Sequence, residues 1–449
     1  MAAGSVIRSV LQPVLRQSVR QNLWSSSWTP QDWYGISIDR ANSSPDVTRI
    51  SGDGKMDLHA SLPVQSLMKA CILKDDGAVN YYLSPTDWSK KVDGTASKLD
   101  GSDGNVMVEI PTYYRKVDNP SAGVYQHKIS LYPISGFTEI PKFYLGAYKS
   151  TVNRTGTIKQ WSIVNAAAEY RGGNNNATWD GGNNTLLGKP ASAISLTNFR
   201  TYARNRGSIK WNVITWRHSM LLFELFIVEY ATQNSQKAVN AALTVDGYRQ
   251  GGLGVGVTAV DGTAWNTFNA YHSLIPCGSS NALASASGEA SYTVPNFGHA
   301  SGAVKVSRFR GIENPFGDIW EWCDGGSVFH EAAGGVSKFY TCDDPANFAD
   351  NTAVNYDYRS NLPAATTYLK EMTHDEKGIL IPLAGGTGSG SATYWCDYYN
   401  TPGLVNTWRA LLRGGSAYDG ALAGFAYLFT NNSASTTNAN IGAQLSIKK

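Results

Sequence analysis

Apolar and polar positions alternate most sharply in the stretch Gly311-Ile312-Glu313-Asn314-Pro315-Phe316-Gly317-Asp318-Ile319-Trp320-Glu321-Trp322-Cys323-Asp324-Gly325-Gly326. Asn314-Pro315 favours a turn, and Gly317 allows a positive φ. Ile319, Glu321 and Cys323 then alternate with Trp320 and Trp322, the period of a strand. A strand with two Trp on one face needs a large apolar cover. Helical spacing occurs twice upstream. Phe199, Tyr202 and Ala203 follow a cap candidate at Thr197, with Gly207 just beyond the end. A second helix is expected from Trp216 to about Asn234 with Thr215 as its N-cap. Residues 220–228 are apolar except Glu224, so this helix is expected to be buried nearly all round, with Glu224 and Glu229 paired or facing its rim. Short strand-like runs at 69–74, 79–83, 106–116, 124–132, 143–149, 378–383 and 441–447 are separated by Gly- and Asp-rich turns. Residues 171–188, 325–376 and 385–391 read as loops.

At the start of the chain, Val6, Ile7, Val10, Leu11, Val14, Leu15 and Val19 recur at helical spacing among Arg8, Arg16 and Arg20. This predicts an amphipathic helix that packs on a partner or on sister chains. An Arg-rich targeting segment is the alternative. Glu109-Ile110-Pro111-Thr112-Tyr113-Tyr114 is echoed by Glu139-Ile140-Pro141-Lys142-Phe143-Tyr144. Proline confines a strand to an edge or to its first residue, so two edge strands are expected. Asn119-Pro120-Ser121-Ala122-Gly123 reads as a boundary. The expected organisation is therefore an attachment segment (1–30), a small β-rich domain (31–123) and a larger domain (124–449).

Composition narrows the function classes. Charged residues make up 16% of the 449, well under the usual quarter. A net charge of +3 with no dense basic patch excludes a nucleic-acid footprint. No apolar window of about 20 residues predicts a membrane span. Cys71, Cys277, Cys323, Cys342 and Cys396 are odd in number and form no C-x-x-C pair, which points to free buried thiols. The seven histidines are scattered, and Asp343, Asp344, Asp350 and Asp357 match no calcium-loop spacing, so no metal site is expected. Gly251-Gly252-Leu253-Gly254-Val255-Gly256 lacks the Lys and the following helix of a phosphate loop. Asp318 and Glu321, three apart on a strand, face opposite sides and make no catalytic pair. Glu321 is expected to accept hydrogen bonds from loop backbone. Neither a catalytic residue nor a cofactor is expected.

Three motifs carry a resemblance. Gly317-Asp318-Ile319-Trp320-Glu321-Trp322 resembles a G-N-V-W-E-W strand, and Leu412-Arg413-Gly414-Gly415-Ser416 resembles an R-G-G-S strand. The helix pair lies ahead of both. In this order they are similar to the C-type-lectin fold in its sulfatase-modifying-factor (formylglycine-generating-enzyme-like) branch, over roughly residues 124–449. The resemblance implies an α+β fold with Trp320, Trp322, Arg413, Gly414 and Gly415 in its core. That family's enzymes carry thiols after R-G-G-S. Here Ala417-Tyr418-Asp419 follows Ser416 and the last cysteine is Cys396, so the resemblance does not extend to the enzyme.

A narrower resemblance adds Val106-Met107-Val108-Glu109-Ile110-Pro111-Thr112-Tyr113-Tyr114 and the segment 408–447. Together with 311–325 these resemble phage tail-fibre or receptor-binding proteins. The C-terminal part is similar to the variable proteins of diversity-generating retroelements, where R-G-G-S precedes a small-residue and Asn-rich tract and then I-G, here Ile441-Gly442. The resemblance implies a variable face within about 390–445, drawn from Tyr394, Asp397, Tyr398, Tyr399, Tyr418, Asp419, Leu422, Phe425, Tyr427 and Phe429. Tyr supplies rigid amphipathic contact area, and Ser, Gly and Asn supply adaptable hydrogen bonds. The implied function is adhesion of a virion to a bacterial surface receptor, protein or glycan. The implied partners are other virion tail proteins and sister chains, a trimer being the usual arrangement for fibres. The chain would be made in the host bacterial cytoplasm. A non-adhesive virion decoration and a divergent enzyme of the formylglycine-generating fold are the alternatives.

Overall fold

In a computed structural model of the chain, which describes residues 32–181, 184–298, 303–331, 336–385, 389–403 and 406–449, strands dominate. The expected helix over 1–30 and residues 386–388 of the expected Gly/Ser loop lie outside the described residues. One sheet has six strands in the order Val79–Tyr82, Lys69–Leu73, Asn105–Ile110, Phe143–Lys149, Gln444–Lys448 and Trp211–Val213. A second has five, in the order Thr48–Ser51, Tyr34–Asp39, Val124–Ser130, Tyr113–Ser121 and Thr138–Ile140. Both sheets draw strands from either side of residue 123. The stretch expected as a boundary ends the strand Tyr113–Ser121, and Gly123, at φ +81°, turns it back into Val124–Ser130. Pro-Ser-Ala-Gly is punctuation for a linker and for a hairpin alike. The pairing on both sides decides between them.

The two Glu-Ile-Pro copies prove to be neighbours. Ile110 pairs with Phe143 in the six-stranded sheet, and Tyr113 pairs with Ile140 in the five-stranded one. Pro111 and Pro141 therefore stand where an antiparallel pair of strands passes together from one sheet to the other. Proline lacks the N–H that a continuing ladder would need there. Of the two strands expected at an edge, Thr138–Ile140 is one and Asn105–Ile110 lies inside its sheet.

A third sheet sets the architecture. Its order is Asp357–Leu362, Ser337–Thr341, Trp320–His330, Thr407–Gly414, Gly424–Phe429, Tyr398–Thr401, Ala365–His374 and Leu380–Gly385, with Ile441–Gly442 added in parallel beside Trp320. Its two end strands return against each other, so the sheet is nearly closed, like a barrel. With 38% strand and 14% helix, this fold overturns the α+β, C-type-lectin-like fold expected from the motifs. The error has a physical source. Residues 325–376 look like a polar loop, yet they hold the strands Ser337–Thr341, Asp357–Leu362 and Ala365–His374. Each exposes a polar face, and a one-sided strand shows few apolar residues.

The helix Trp216–Tyr230 runs through the core, and nearly every side chain on it is buried. Thr215 caps it as expected, accepting from the His218 N–H at 3.1 Å, and Ala231 ends it at φ +53°, before Asn234. Phe223 and Phe226 pack against Phe425 at 5.3 and 5.6 Å. The helix Leu196–Arg204 is capped by Ser195, not by Thr197. A third helix, Gly262–Asn269, starts at Asp261, which accepts from the Ala264 N–H at 2.8 Å. Trp322 is fully buried, with Nε1 donating to the Ile194 carbonyl at 3.1 Å. All five cysteines are buried free thiols. Among the described residues no helix is long and apolar enough to cross a membrane.

Candidate ligand-binding groove

The strand Trp320–His330 divides two environments. Glu321 points inward, where it ion-pairs with Lys149 at 2.7 Å and with Arg413. All three side chains are buried. Arg413 also donates to the Pro315 carbonyl at 3.1 Å and to Gln444 Oε1 at 3.0 Å, and Gln444 donates to the Gly146 carbonyl at 2.9 Å. The expectation that Glu321 serves loop backbone is thereby corrected: it is the anion of a buried triad that ties the barrel to the six-stranded sheet. Asp318 is also buried, accepting from Ser273 Oγ at 2.6 Å and from the Leu274 N–H at 3.1 Å.

Trp320 opens the other way, into a groove of about 420 Å³. Its ring meets Tyr427 edge-on at 4.6 Å and tilts against Phe429 at 5.1 Å, and Tyr427 in turn meets Tyr398 at 5.6 Å. Tyr398 is i−2 to Asn400 and Tyr427 is i−2 to Phe429, so each strand presents both members of its pair to the groove. On the facing side stand Trp265, from the third helix, and Tyr271, just after it. Tyr418 lies over Gly262 at the start of that helix, where a Cβ would come within 3.3 Å of its ring. It is 66% exposed and forms the outermost ring of the groove.

The loop carrying Tyr418 is set by the Arg-Gly-Gly-Ser motif. Gly414 and Gly415 have φ of +87° and +81°, and a Cβ on Gly415 would sit 2.9 Å from Ala423. Backbone bonds from Ala417 N–H to the Asp318 carbonyl (2.8 Å) and from Val260 N–H to the Ala417 carbonyl (3.0 Å) pin the loop to the turn before Trp320 and to the third helix. Ser416 donates to Asp419 Oδ2 from both its N–H (2.7 Å) and its hydroxyl (2.6 Å). Burial raises the Asp419 carboxyl above the usual carboxylate range, and these two bonds only partly offset it. Burial, with Asp419 and Tyr398 nearby, likewise raises the Tyr427 hydroxyl, which stays a neutral phenol. Asn400 and Asn440 add to the polar lining, and among the described residues no Lys, Arg or His lines the groove.

The structure thus brings together Tyr398, Tyr418, Asp419, Leu422, Tyr427 and Phe429 of the expected face. It does not bring the rest. Tyr399 and Phe425 are fully buried, Phe425 against the core helix. Asp397 is 1% exposed and accepts from the Ala426 N–H at 2.7 Å; burial drives its carboxyl far above the ordinary range. Gly424 passes so close to this carboxyl that a Cβ would collide with it. Tyr394 is half-buried away from the groove, under the Lys370 ammonium. Asp397, Tyr399 and Phe425 therefore belong to the interior and cannot vary as a surface. Trp320 lines the groove as well as anchoring the core. Trp265 and Tyr271 are additions, and the Asp261 cap followed by Trp265 and Phe268 at i, i+3 was the signal for their helix.

Other candidate chemistry resolves into structural roles. Asp343 pairs with Arg217 and Lys377, Asp350 with Arg200 and Asp357 with Arg359, while Asp344 caps a short turn. Glu229 holds Arg310 and Arg249. Glu224 takes two bonds from Arg115, at 2.8 and 2.6 Å, and one contact from His127 at 2.7 Å; the far nitrogen of His127 meets His374 at 2.9 Å. Among the described residues no three His, Cys, Asp or Glu side chains gather closely enough to hold a metal ion.

No family model matches the chain, and no curated protein matches it. Among solved structures the chain is similar to PvdO from Pseudomonas aeruginosa, with 9% identity over 79% of this chain and 98% of that one. The TM-score is 0.31, too low to carry an argument about fold or function.

Proposed function

We propose that this chain is a receptor-binding protein of a phage virion, attaching it to a bacterial surface ligand through the aromatic groove. The observation that carries the reading is convergence. Residues spread from Tyr398 to Phe429, selected from sequence as recognition-type side chains, meet in one open groove with Trp320 beneath them. The groove has the size of a ligand site, about 300–1,000 Å³ in general. Its support is rigid, since the strand that bears Trp320 is locked from behind by the Lys149–Glu321–Arg413 triad. The sequence resemblance supplies the setting: a virion made in a bacterial cytoplasm, with tail proteins and sister chains as neighbours. Recognition needs no catalytic group, and binding rather than turnover is the activity proposed.

The test is attachment of the purified full chain to a panel of bacterial strains. Tyr418→Ala and Tyr398→Ala, both at least partly exposed, are expected to reduce attachment at least tenfold without loss of folded protein. Attachment unchanged in both variants would remove the groove from the account. The same reading expects a near-copy of the DNA for about residues 390–445 close to the gene, with differences concentrated at the codons of the groove residues.

A further inference from the structure

We infer that the groove takes an uncharged saccharide, which deepens the adhesion reading above and rests on it. Three observations converge. The first is the lining. Trp320 and Tyr427, only 7% and 3% exposed, form the base; Tyr398 and Phe429 present part of their rings above it, and Tyr418 and Tyr271 stand exposed at its edges. A pyranose presents C–H faces to such rings and hydroxyls at its rim. The second is the set of polar groups. Asn400 and Asn440 offer amides that both donate and accept, while the Ser416 hydroxyl, whose proton goes to Asp419, can only accept. Such groups orient a ring bearing hydroxyls.

The third observation is charge. Among the described residues no cation lines the groove, so none of them neutralises a phosphate or carboxylate polymer there. The one acid among the described lining residues, Asp419, is occupied by Ser416, and burial favours its neutral form. That argues against a quaternary ammonium, which needs ring faces around it and gains from a nearby anion. The floor rings also meet each other edge-on or tilted, not as walls facing a common centre. Finally, a groove of about 420 Å³ is a small-molecule site. A protein epitope would need about 800 Å² on each partner.

The experiment has two arms, both on the full chain. In the first, cells of a strain that the protein binds are treated either with periodate, which cleaves sugar diols, or with protease. Periodate is expected to abolish attachment and protease to leave it. The reverse result overturns the saccharide while leaving adhesion intact. In the second arm, an array of neutral oligosaccharides is probed, with phosphocholine and polyphosphate as charged competitors. At least one neutral glycan is expected to bind, to quench tryptophan fluorescence, and to lose at least tenfold in affinity in Tyr418→Ala. Competition by phosphocholine or polyphosphate with no neutral glycan bound overturns the inference. Should the protein attach to no cell at all, adhesion fails, and the array alone then supports the saccharide by a Tyr418-dependent hit or overturns it by giving none.

Discussion

Trp320 and Glu321 are adjacent in sequence and opposite in environment. One opens into a groove of rings where no described residue is a cation; the other is sealed into a triad of ions. The same contrast holds across the molecule. Charged residues are only 16% of the chain, and many of them lie inside: Arg115 with Glu224, Arg308 beside Glu313, Arg200 with Asp324, Glu229 with Arg310. Charge here joins sheets and helices to one another, and among the described residues the groove holds one buried acid, Asp419, and no cation. Buried ion pairs of this kind set which elements meet more than they add net stability, because desolvation offsets most of their attraction. Rings placed over a fixed sheet give contact area at little entropic cost.

The contrast can be broken from the interior side first. Trp322→Ala removes the largest fully buried side chain of the central strand and its bond to Ile194, and should destabilise the fold by about 3–5 kcal/mol in urea unfolding. Glu224→Ala leaves Arg115 buried without its anion, at a cost of about 3–5 kcal/mol by the same measurement. A loss under about 1 kcal/mol in either variant would mean that these groups do not hold the elements together.

Acid sharpens the comparison next. Burial, reinforced by His127 and Arg115, holds His374 down to about 2, and burial holds His59 and His272 down to about 4. These rings are neutral in the fold and take up protons more readily when unfolded. Stability is therefore complete above about pH 6.5 and is lost as pH falls below it, by at most about 1.4 kcal/mol per pH unit for each ring. Glu224 behaves differently. Burial opposes its charge, but Arg115 and His127 outweigh burial and hold it at about 2, so its contribution begins to fade only below about pH 4.5. Buried carboxyls raised by burial, such as Asp397, work the other way and favour the fold as pH falls, so the histidine effect is read by difference. The change in urea midpoint from pH 7.5 to 5 should be less unfavourable in His272→Gln than in the native chain, and an equal change would contradict the buried neutral histidine. The smallest stability effect is expected in the groove, where Tyr418→Ala should shift stability by no more than about 0.5 kcal/mol.

Much of the local structure was legible in the sequence. Thr215 announced its helix by a hydroxyl that bonds the first turn, and the strand of Trp320 and Trp322 followed from strict alternation. The Arg-Gly-Gly-Ser motif was read by resemblance as a core strand; that its two glycines hold positive φ is seen only in the structure. The overall architecture was not legible. Strands such as Asp357–Leu362 show polar faces, and closure of the large sheet depends on pairings between residues far apart, which no local pattern encodes. The groove was half legible. Aromatic and Asn-rich composition located its strands, but composition is blind to which side of a strand is buried. Asp397, Tyr399 and Phe425 thus turned out to be interior. The facing side, with Trp265 and Tyr271, comes from a helix far upstream that only the fold brings near. His127 and His374 teach the same lesson: histidines scattered along the chain still meet at 2.9 Å.

The central claim is that recognition resides in the groove and not in the charged interior. Attachment of the purified full chain to bacterial cells, compared between the native sequence and Tyr418→Ala at matched folded concentration, tests it most directly. The account predicts at least a tenfold loss of attachment with an unchanged unfolding midpoint; full attachment by the folded variant would contradict it.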